Sequence, residues 1–399
     1  MPPGPGPAPV SYTIARGGTR LAQLRAEPAH AQPLSSPMKI TFVCPPLNMT
    51  GGIRVIAIHA KLLQSFGHEV LVVASPRPAK GRLARWMKKL RLPALAERPQ
   101  PASHVDGTGV PMKILERPRK VLASDVPDAD VIVATWWETA EFVAAMPAAK
   151  GRQVYFVQGY EVLPGQPPER VLATYRSDMR KIAVAKWLAE AIERDGNRQG
   201  CTIVPNAVDR ALFFAPPRDR NARPRLGTLC SENDNKGFDV ALDVIALVRR
   251  ALPEVEIVAM GEQAPVRERD RAQGIALALQ TPQAQLREVY ASCDVWLCCS
   301  RSEGFNLMAM EAMACRTPVV STRTGWPVEA IVDGVNGGLA DVDDAAGLAE
   351  AVLRVLRADA PQWRAMSDAA AQCVADSSWE RSARQFEAAL IGNQRLASA

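Results

Sequence analysis

The chain has 399 residues, 47% hydrophobic and 6% aromatic, with 48 Lys plus Arg against 42 Asp plus Glu and a formal charge of +6. The length allows two ordinary cores, the charge is too modest to indicate nucleic acid, and no apolar run approaches the roughly 18 residues a bilayer crossing needs. Eight scattered cysteines, with no C-x-x-C pair and no histidine cluster, argue against a zinc site or disulfide framework and for a reducing cytoplasm.

Residues 1–37 open MPPGPGPAPV, lack an apolar signal core, and read as a disordered leader, or as a segment preceding the true start at Met38. From there strand and helix alternate. Lys39 to Cys44 (KITFVC) is a buried strand, Gly51-Gly52 a loop, Ile53 to Ser65 a helix and Glu69 to Ala74 (EVLVVA) a second strand. Further strands are expected at Val131 to Ala134, Val154 to Val157, Ile182 to Ala185 and Thr202 to Val204. Short apolar runs separated by helical patterns mark a parallel sheet covered by helices.

Residues 76–92 (PRPAKGRLARWMKKLRL) hold seven Lys/Arg and no acid, with Leu83, Trp86, Met87 and Leu90 at helical spacing. That is a basic amphipathic helix, which either lies on an anionic membrane or packs its stripe on the domain. Asp128-Ala129-Asp130 has the D-x-D spacing, but it precedes a strand, the wrong edge of such a sheet for a ligand, and reads as a turn. No metal is expected.

The Pro/Arg-rich stretch 206–224 has a linker composition. A second alternation follows: Leu226 to Cys230, a helix over Phe238 to Ala251, Val255 to Met260, a helix over Gln283 to Ser292, Val295 to Cys299, a helix over Leu307 to Cys315, and Thr317 to Ser321. Phe238, Ala241, Leu242, Ile245 and Val248 set the phase of the first of these helices. Asp341 to Asp344 reads as a loop and helix cap, and three helices close the chain, the last near Ser378 to Ile391. The fold class is α/β: two doubly wound, Rossmann-like domains facing a cleft. The divisions are 38–205 for the N-terminal domain, 225–376 for the C-terminal domain, and 377–399 for a helix returning to the first domain.

The most informative stretch is SRSEGFNLMAMEAMACRTPVV, residues 300–320. Asn306 suits the N-cap of the helix at Leu307, so Glu303, Gly304 and Phe305 fall at a strand's carboxyl end beside the positive end of a helix. Such N–H groups make an anion site suited to a diphosphate, and Gly304 lets a ligand approach the backbone. Glu311 sits one turn into an apolar helix, which is costly for an ionised group. Either the helix has one polar surface face, or Glu311 meets a partner outside the chain, such as ligand hydroxyls. Gly51-Gly52 opens its helix as a phosphate-side turn would, or as a plain turn; no G-x-G-x-x-G is present.

Glu303 and Glu311 at this spacing, with EAMACRTPVVST, GWPVEAIVDGVNGGLADVDD and SSWERSARQFEAAL, resemble the C-terminal half of GT-B glycosyltransferases of family GT4. MTGGIRV, FGHEVLVV, AKWLAEAI and VPNAVDRALF resemble that family's N-terminal half, so the likeness covers roughly 38–391. It implies a metal-independent, retaining transfer (hexosyl or deoxyhexosyl) from a nucleotide-diphosphate sugar to a glycan or lipid-linked acceptor in cell-surface polysaccharide or lipopolysaccharide biosynthesis. No cofactor is implied, and the location would be cytoplasmic or peripheral on the inner face of the membrane. By the same resemblance Glu303 faces the donor sugar, the amides of Phe305, Asn306 and Leu307 face sugar and phosphates, Glu311 faces the ribose, and Lys236 is the phosphate-binding lysine.

Two departures stand out. The family's G-R-L reads Gly227-Thr228-Leu229 here, so a phosphate cation is missing at Thr228 unless Arg225, Arg301 or another residue replaces it. The family's N-terminal histidine region reads Ala134-Thr135-Trp136-Trp137-Glu138. A sugar-nucleotide epimerase of the same fold is the alternative enzyme; it would want acid–base groups in the cleft, and His30, His59, His68 and His104 sit near no catalytic motif. A donor-binding subunit without catalysis is the alternative from another class.

Overall fold

Strands whose residues are apolar on both faces need cover on both sides, and the structure supplies it with helices. It is a computed structural model, and it describes residues 36–79, 87, 90, 92, 99–261 and 274–392. Strands β1 (Lys39–Cys44) and β2 (Glu69–Ala74) pair in parallel, with Ile40 opposite Val70 and Phe42 opposite Val72, and helix α1 (Gly51–Ser65) makes the crossover. Strands β3 (Met112–Ile114), β4 (Val131–Ala134), β5 (Arg152–Val157), β6 (Arg180–Ala183) and β7 (Cys201–Ile203) complete a parallel sheet of order β3-β2-β1-β4-β5-β6-β7. Helices α2 (Trp137–Ala144), α3 (Pro168–Arg176) and α4 (Lys186–Arg194) lie between them in sequence.

The second sheet has order β10-β9-β8-β11-β12-β13 and is also parallel. In chain order its elements are β8 (Arg225–Leu229), α5 (Phe238–Ala251), β9 (Glu256–Gly261), β10 (Ile275–Leu279), α6 (Leu286–Ala291), β11 (Val295–Cys298), α7 (Leu307–Ala314), β12 (Val319–Thr322), α8 (Pro327–Ala330) and β13 (Gly337–Ala340). Helices α9 (Ala345–Arg357), α10 (Ala360–Cys373) and α11 (Trp379–Ile391) follow. In both sheets the strand order reverses beside the first strand, β1 against β4 and β8 against β11. The loops leaving those strands therefore open a crevice at their carboxyl ends.

The two-domain α/β architecture agrees with the sequence reading; details differ. Strands β3 and β13 carry no strong sequence signal, β3 being exposed throughout and β13 beginning with two glycines, and the apolar run IALAL of β10 is a further strand beyond those expected. Strand β6 lies at Arg180–Ala183 rather than Ile182 to Ala185, because its register places Arg180 opposite Val154. Helix α1 starts at Gly51, so the expected glycine loop is its first turn. The helix expected from Gln283 opens with a 3₁₀ turn, and β12 begins at Val319 because the Thr317 side chain instead bonds the Tyr290 carbonyl at 2.7 Å. On α5 the buried stripe is Val240, Ala241, Val244, Ile245 and Val248, with Phe238 and Leu242 at its margin. Asp130 accepts from the Lys39 amide at 2.7 Å, and Asp344 caps α9 through Gly347 N–H. The stretch 76–92 and the leader 1–37 fall for the most part outside the described residues.

The first crossing between domains begins tightly packed: Asn206, Ala207, Val208 and Phe213 are buried. Its amide at Val208 donates to Ser377 Oγ, and Ser382 Oγ donates to the Pro205 carbonyl, which ties the outgoing and returning chains together. Helix α11 then lies on α1, stacking Phe386 on His59 at 4.7 Å between centroids and setting Glu387 Oε1 3.0 Å from His68 Nε2. The Met38 amide donates to His68 Nδ1, so both ring nitrogens are engaged.

Behind the crevice, after β5, Glu161 is 1% exposed and accepts from the Trp137 amide and the Tyr155 hydroxyl, each at 2.6 Å. Burial raises its pKa from 4.5 to about 8, against the lowering effect of those two bonds. Between those values the folded chain holds a proton that the unfolded chain has lost, so this group makes stability fall as pH rises from about 5 to 8. Thermal unfolding of Glu161→Gln should show a flatter Tm profile across that window than wild type; parallel profiles would show that Glu161 is ionised in the folded chain.

Candidate functional site

The crevice holds a cleft of about 930 Å³ between the two sheets. Its N-terminal wall is the loop after β1 and the first turn of α1. Asn48 Oδ1 accepts from the Thr50 amide at 2.8 Å, shaping the approach to Gly51 and Gly52. Space beyond Gly51 is open, while a side chain on Gly52 would begin 3.7 Å from the Gln158 amide. His104 supports this loop from behind, its amide on the Asn48 carbonyl and its Nε2 on the Met49 carbonyl at 3.0 Å. His59, His68 and His104 are not among the residues that line the cleft.

The C-terminal wall is the loop after β11 and the start of α7. Asn306 adopts φ 77° and caps α7 by accepting from the Ala309 amide. The Gly304 carbonyl accepts from Trp187 Nε1 at 3.0 Å, and the Phe305 carbonyl from the Trp326 amide at 2.8 Å. A trans peptide points its N–H opposite its C=O, so the amides of Phe305 and Asn306 point away from those donors. With the first-turn amide of Leu307 they form a donor set at a positive helix end. Phe305 is held in turn by stacking on Trp326 at 5.6 Å.

Lys236 ends a 3₁₀ turn (Asp234–Lys236) capped by Asn233, and Gly237 at φ +63° presses that turn on the β11 end. This brings Lys236 Nζ to 2.6 Å from Glu303 Oε1, which also accepts from Ser300 Oγ at 2.7 Å. Arg301, on Asp239 and Asp343, donates to the Asp234 carbonyl at 2.7 Å and so buttresses the lysine turn from outside.

Glu311 is 4% exposed and has partners within the chain: Arg54 Nη1 at 2.7 Å and the Tyr290 hydroxyl at 3.0 Å. This corrects the expectation of either a surface face or a partner the sequence does not supply. Arg54 comes from α1, 257 positions away, and local reading of α7 cannot find it. Burial raises the Glu311 pKa even so, opposed by Arg54 and Tyr290.

Thr228 is also corrected. Its side chain is 1% exposed and donates to the Leu297 carbonyl at 3.1 Å inside the sheet, so it does not line the cleft. Arg225 pairs with Glu256 at 2.6 Å, at the start of β8 and away from its carboxyl end. In the histidine-like region, Trp137 N–H is held by Glu161 and Thr135 Oγ1 donates to the Val43 carbonyl. The other predicted residues, Gly51, Gly52, Lys236, Glu303, Gly304, Phe305, Asn306, Leu307 and Glu311, all line the one cleft. Joining them, unforeseen, are Arg54, Arg77, Gln158 and Asn206.

Three buried polar atoms on cleft residues, Gln158 Oε1, Asn206 Oδ1 and Asn306 Nδ2, have no hydrogen-bond partner among the described residues. Such atoms are costly unless a ligand meets them. Burial pushes the thiols of Cys44, Cys293 and Cys298 up to about 12, which keeps them protonated and unreactive. Among the described residues no cluster of three or more His, Cys, Asp or Glu is set to hold a metal ion.

Residues 223–358 match the family described as glycosyl transferases group 1. The chain is 33% identical over 218 residues to the D-inositol 3-phosphate glycosyltransferase of Segniliparus rotundus, covering 49% of this chain and 48% of that one. It is 28% identical over 348 residues to the phosphatidyl-myo-inositol mannosyltransferase of Mycolicibacterium smegmatis, covering 81% and 86%. The match thus spans about half the length of the first of these relatives. Among solved structures, Anabaena HepE in complex with UDP and glucose aligns with TM-score 0.64 at 18% identity, over 85% of this chain and 95% of that one. WaaG, a glycosyltransferase involved in lipopolysaccharide biosynthesis, aligns with TM-score 0.64 at 14% identity, over 89% and 100%. These neighbours have the GT-B fold.

Closure of this cleft rests on a glycine. A Cβ on Gly304 would fall 1.8 Å from the Gln158 carbonyl oxygen and 2.9 Å from the Gly159 Cα. Gly304→Ala should therefore push the domains apart and cost about 1–3 kcal/mol of stability. X-ray scattering should show a larger radius of gyration, and Trp187 emission should shift to the red; unchanged scattering and emission would mean the contact is not needed for closure.

Proposed function

Given a glycosyl transferases group 1 domain at residues 223–358 on a GT-B fold, we propose that this chain is a retaining glycosyltransferase that moves a sugar from a nucleotide-diphosphate sugar to a glycan or lipid-linked acceptor. The observation that carries the reading is the convergence of Lys236, Glu303 and the α7 amides at one end of a cleft whose opposite wall is Gly51 and Gly52. A diphosphate leaving group gains charge as the sugar bond breaks. Amide donors, a helix N-terminus and a fixed ammonium lower that barrier most because they are already oriented. Glu303, now on Lys236, would turn to the donor sugar's hydroxyls when the ammonium moves to the phosphates. In a retaining transfer the leaving phosphate itself takes the acceptor's proton, so no histidine base is required. The relatives that act on an inositol phosphate or phosphatidylinositol, and the neighbour solved with UDP, support a nucleotide-sugar donor and a polar or lipid-linked acceptor.

Thermal-shift screening with nucleotide sugars should raise the Tm for a matched donor, because a ligand of the native state stabilises it. With that donor, Lys236→Ala should lower kcat by about tenfold or more with a smaller change in KM. Wild-type turnover in Lys236→Ala would remove the lysine from the site. Donor binding without transfer or hydrolysis would identify a binding subunit instead. Activity should persist in excess EDTA; strict dependence on a divalent ion would overturn a metal-free mechanism.

The seven Lys/Arg of residues 76–92 support a further part of the reading, reversible attachment to an anionic membrane surface on the acceptor side. Wild type should sediment with anionic vesicles at low salt and less at about 0.5 M, where screening shortens the attraction. A variant with Arg82, Arg85, Lys88 and Lys89 changed to Glu should remain in the supernatant; indifference of wild type to vesicles would discard the membrane role.

A further inference from the structure

We propose that Arg54 is the second phosphate-side cation of the cleft, in place of the arginine that Thr228 replaces, and that it exchanges Glu311 for the diphosphate when a nucleotide enters. This rests on the donor-site reading above and names the residue that completes it. A diphosphate brings more negative charge than Lys236 and one helix end offset. Thr228 is sealed in the sheet, Arg225 is held by Glu256, and Arg301 is held by Asp239 and Asp343. Of the cations lining the cleft, Arg77 donates its amide to Gln100 Oε1 within the N-terminal domain, with no bond to the C-terminal domain among the described residues.

Arg54 is differently placed. It stands in the first turns of α1 just after Gly51 and Gly52, its side chain 18% exposed. Its guanidinium carbon lies 5.9 Å from the Phe213 ring centroid and its Nη1 touches Glu311. Glu311 is four residues into α7, so the guanidinium is within about 6 Å along the axis of the amides that begin that helix. One of its N–H groups serves Glu311; the planar fork has five, and its geometry suits two phosphate oxygens. Tyr290 stays on Glu311 Oε2, so the carboxylate released by Arg54 keeps one donor and gains ligand hydroxyls as others. The same movement thus readies both residues for a nucleotide, with Tyr290 and the ligand's hydroxyls offsetting the loss of the cation at Glu311.

The test is titration calorimetry of the full chain with UDP, GDP and ADP and with the matching monophosphates. The quantity read is the ratio of monophosphate Kd to diphosphate Kd. For the base that binds wild type, Arg54→Ala should lower that ratio about tenfold or more, since a charge-assisted contact to the outer phosphate is lost. Arg54→Ala/Glu311→Gln removes the stranded carboxylate, which protects folding, and should keep the ratio low. Glu311→Gln alone should leave the ratio at or above wild type. If Arg54 is only a strut between domains, both nucleotides weaken alike and the ratio stays at the wild-type value; that result overturns the proposal. Failure of wild type to bind any diphosphate overturns the donor-site reading itself, and the proposal with it.

Discussion

Glu311 is a carboxylate within an apolar helix, and its burial is tolerable because Arg54 and Tyr290 reach it from two other elements. Ala309, Met310, Ala312 and Met313 are buried around it, so α7 itself offers the charge no polar neighbour. The cation that meets it comes from α1, in the other domain. One ion pair therefore sets the start of α1, with Gly51 and Gly52, opposite the start of α7, and most of the cleft's geometry follows from that alignment.

The same juncture explains why backbone rather than side chain forms the middle of the site. Gly304 touches Gln158 and Gly159 across the domains with no space for a Cβ. Trp187 and Trp326 take the carbonyls of Gly304 and Phe305 from behind, which orients the amides of that loop. An anion site built this way is rigid, and rigidity is what makes fixed dipoles effective when charge develops.

Two of the cleft carboxylates are each matched to one cation: Glu303 to Lys236, and Glu311 to Arg54. The pairs are close to neutral and partly shielded from solvent. An incoming diphosphate presents oxygens that compete for both cations while its sugar hydroxyls offer donors to both carboxylates. Exchange of partners, with the α7 amides meeting the rest of the ligand's charge, is how such a site admits a multiply charged ligand.

Much of this was legible along the chain because it depends on short-range pattern. Short β-branched and aromatic apolar runs such as KITFVC and VWLC, bounded by turns, read as covered strands, and Asn306 before an apolar helix places a cap, an anion site and Glu303 at a strand's end. The weak strands β3 and β13 were not legible, since their pairing comes from neighbours in the sheet and not from their own residues. Nor was the commitment of Thr228, because which face of β8 meets Leu297 is set by sheet register. Arg54 and Glu311 illustrate the division most clearly. The cost of a buried carboxylate can be read from eight residues of α7, whereas its cation lies 257 positions away and is brought there only when both domains fold and close.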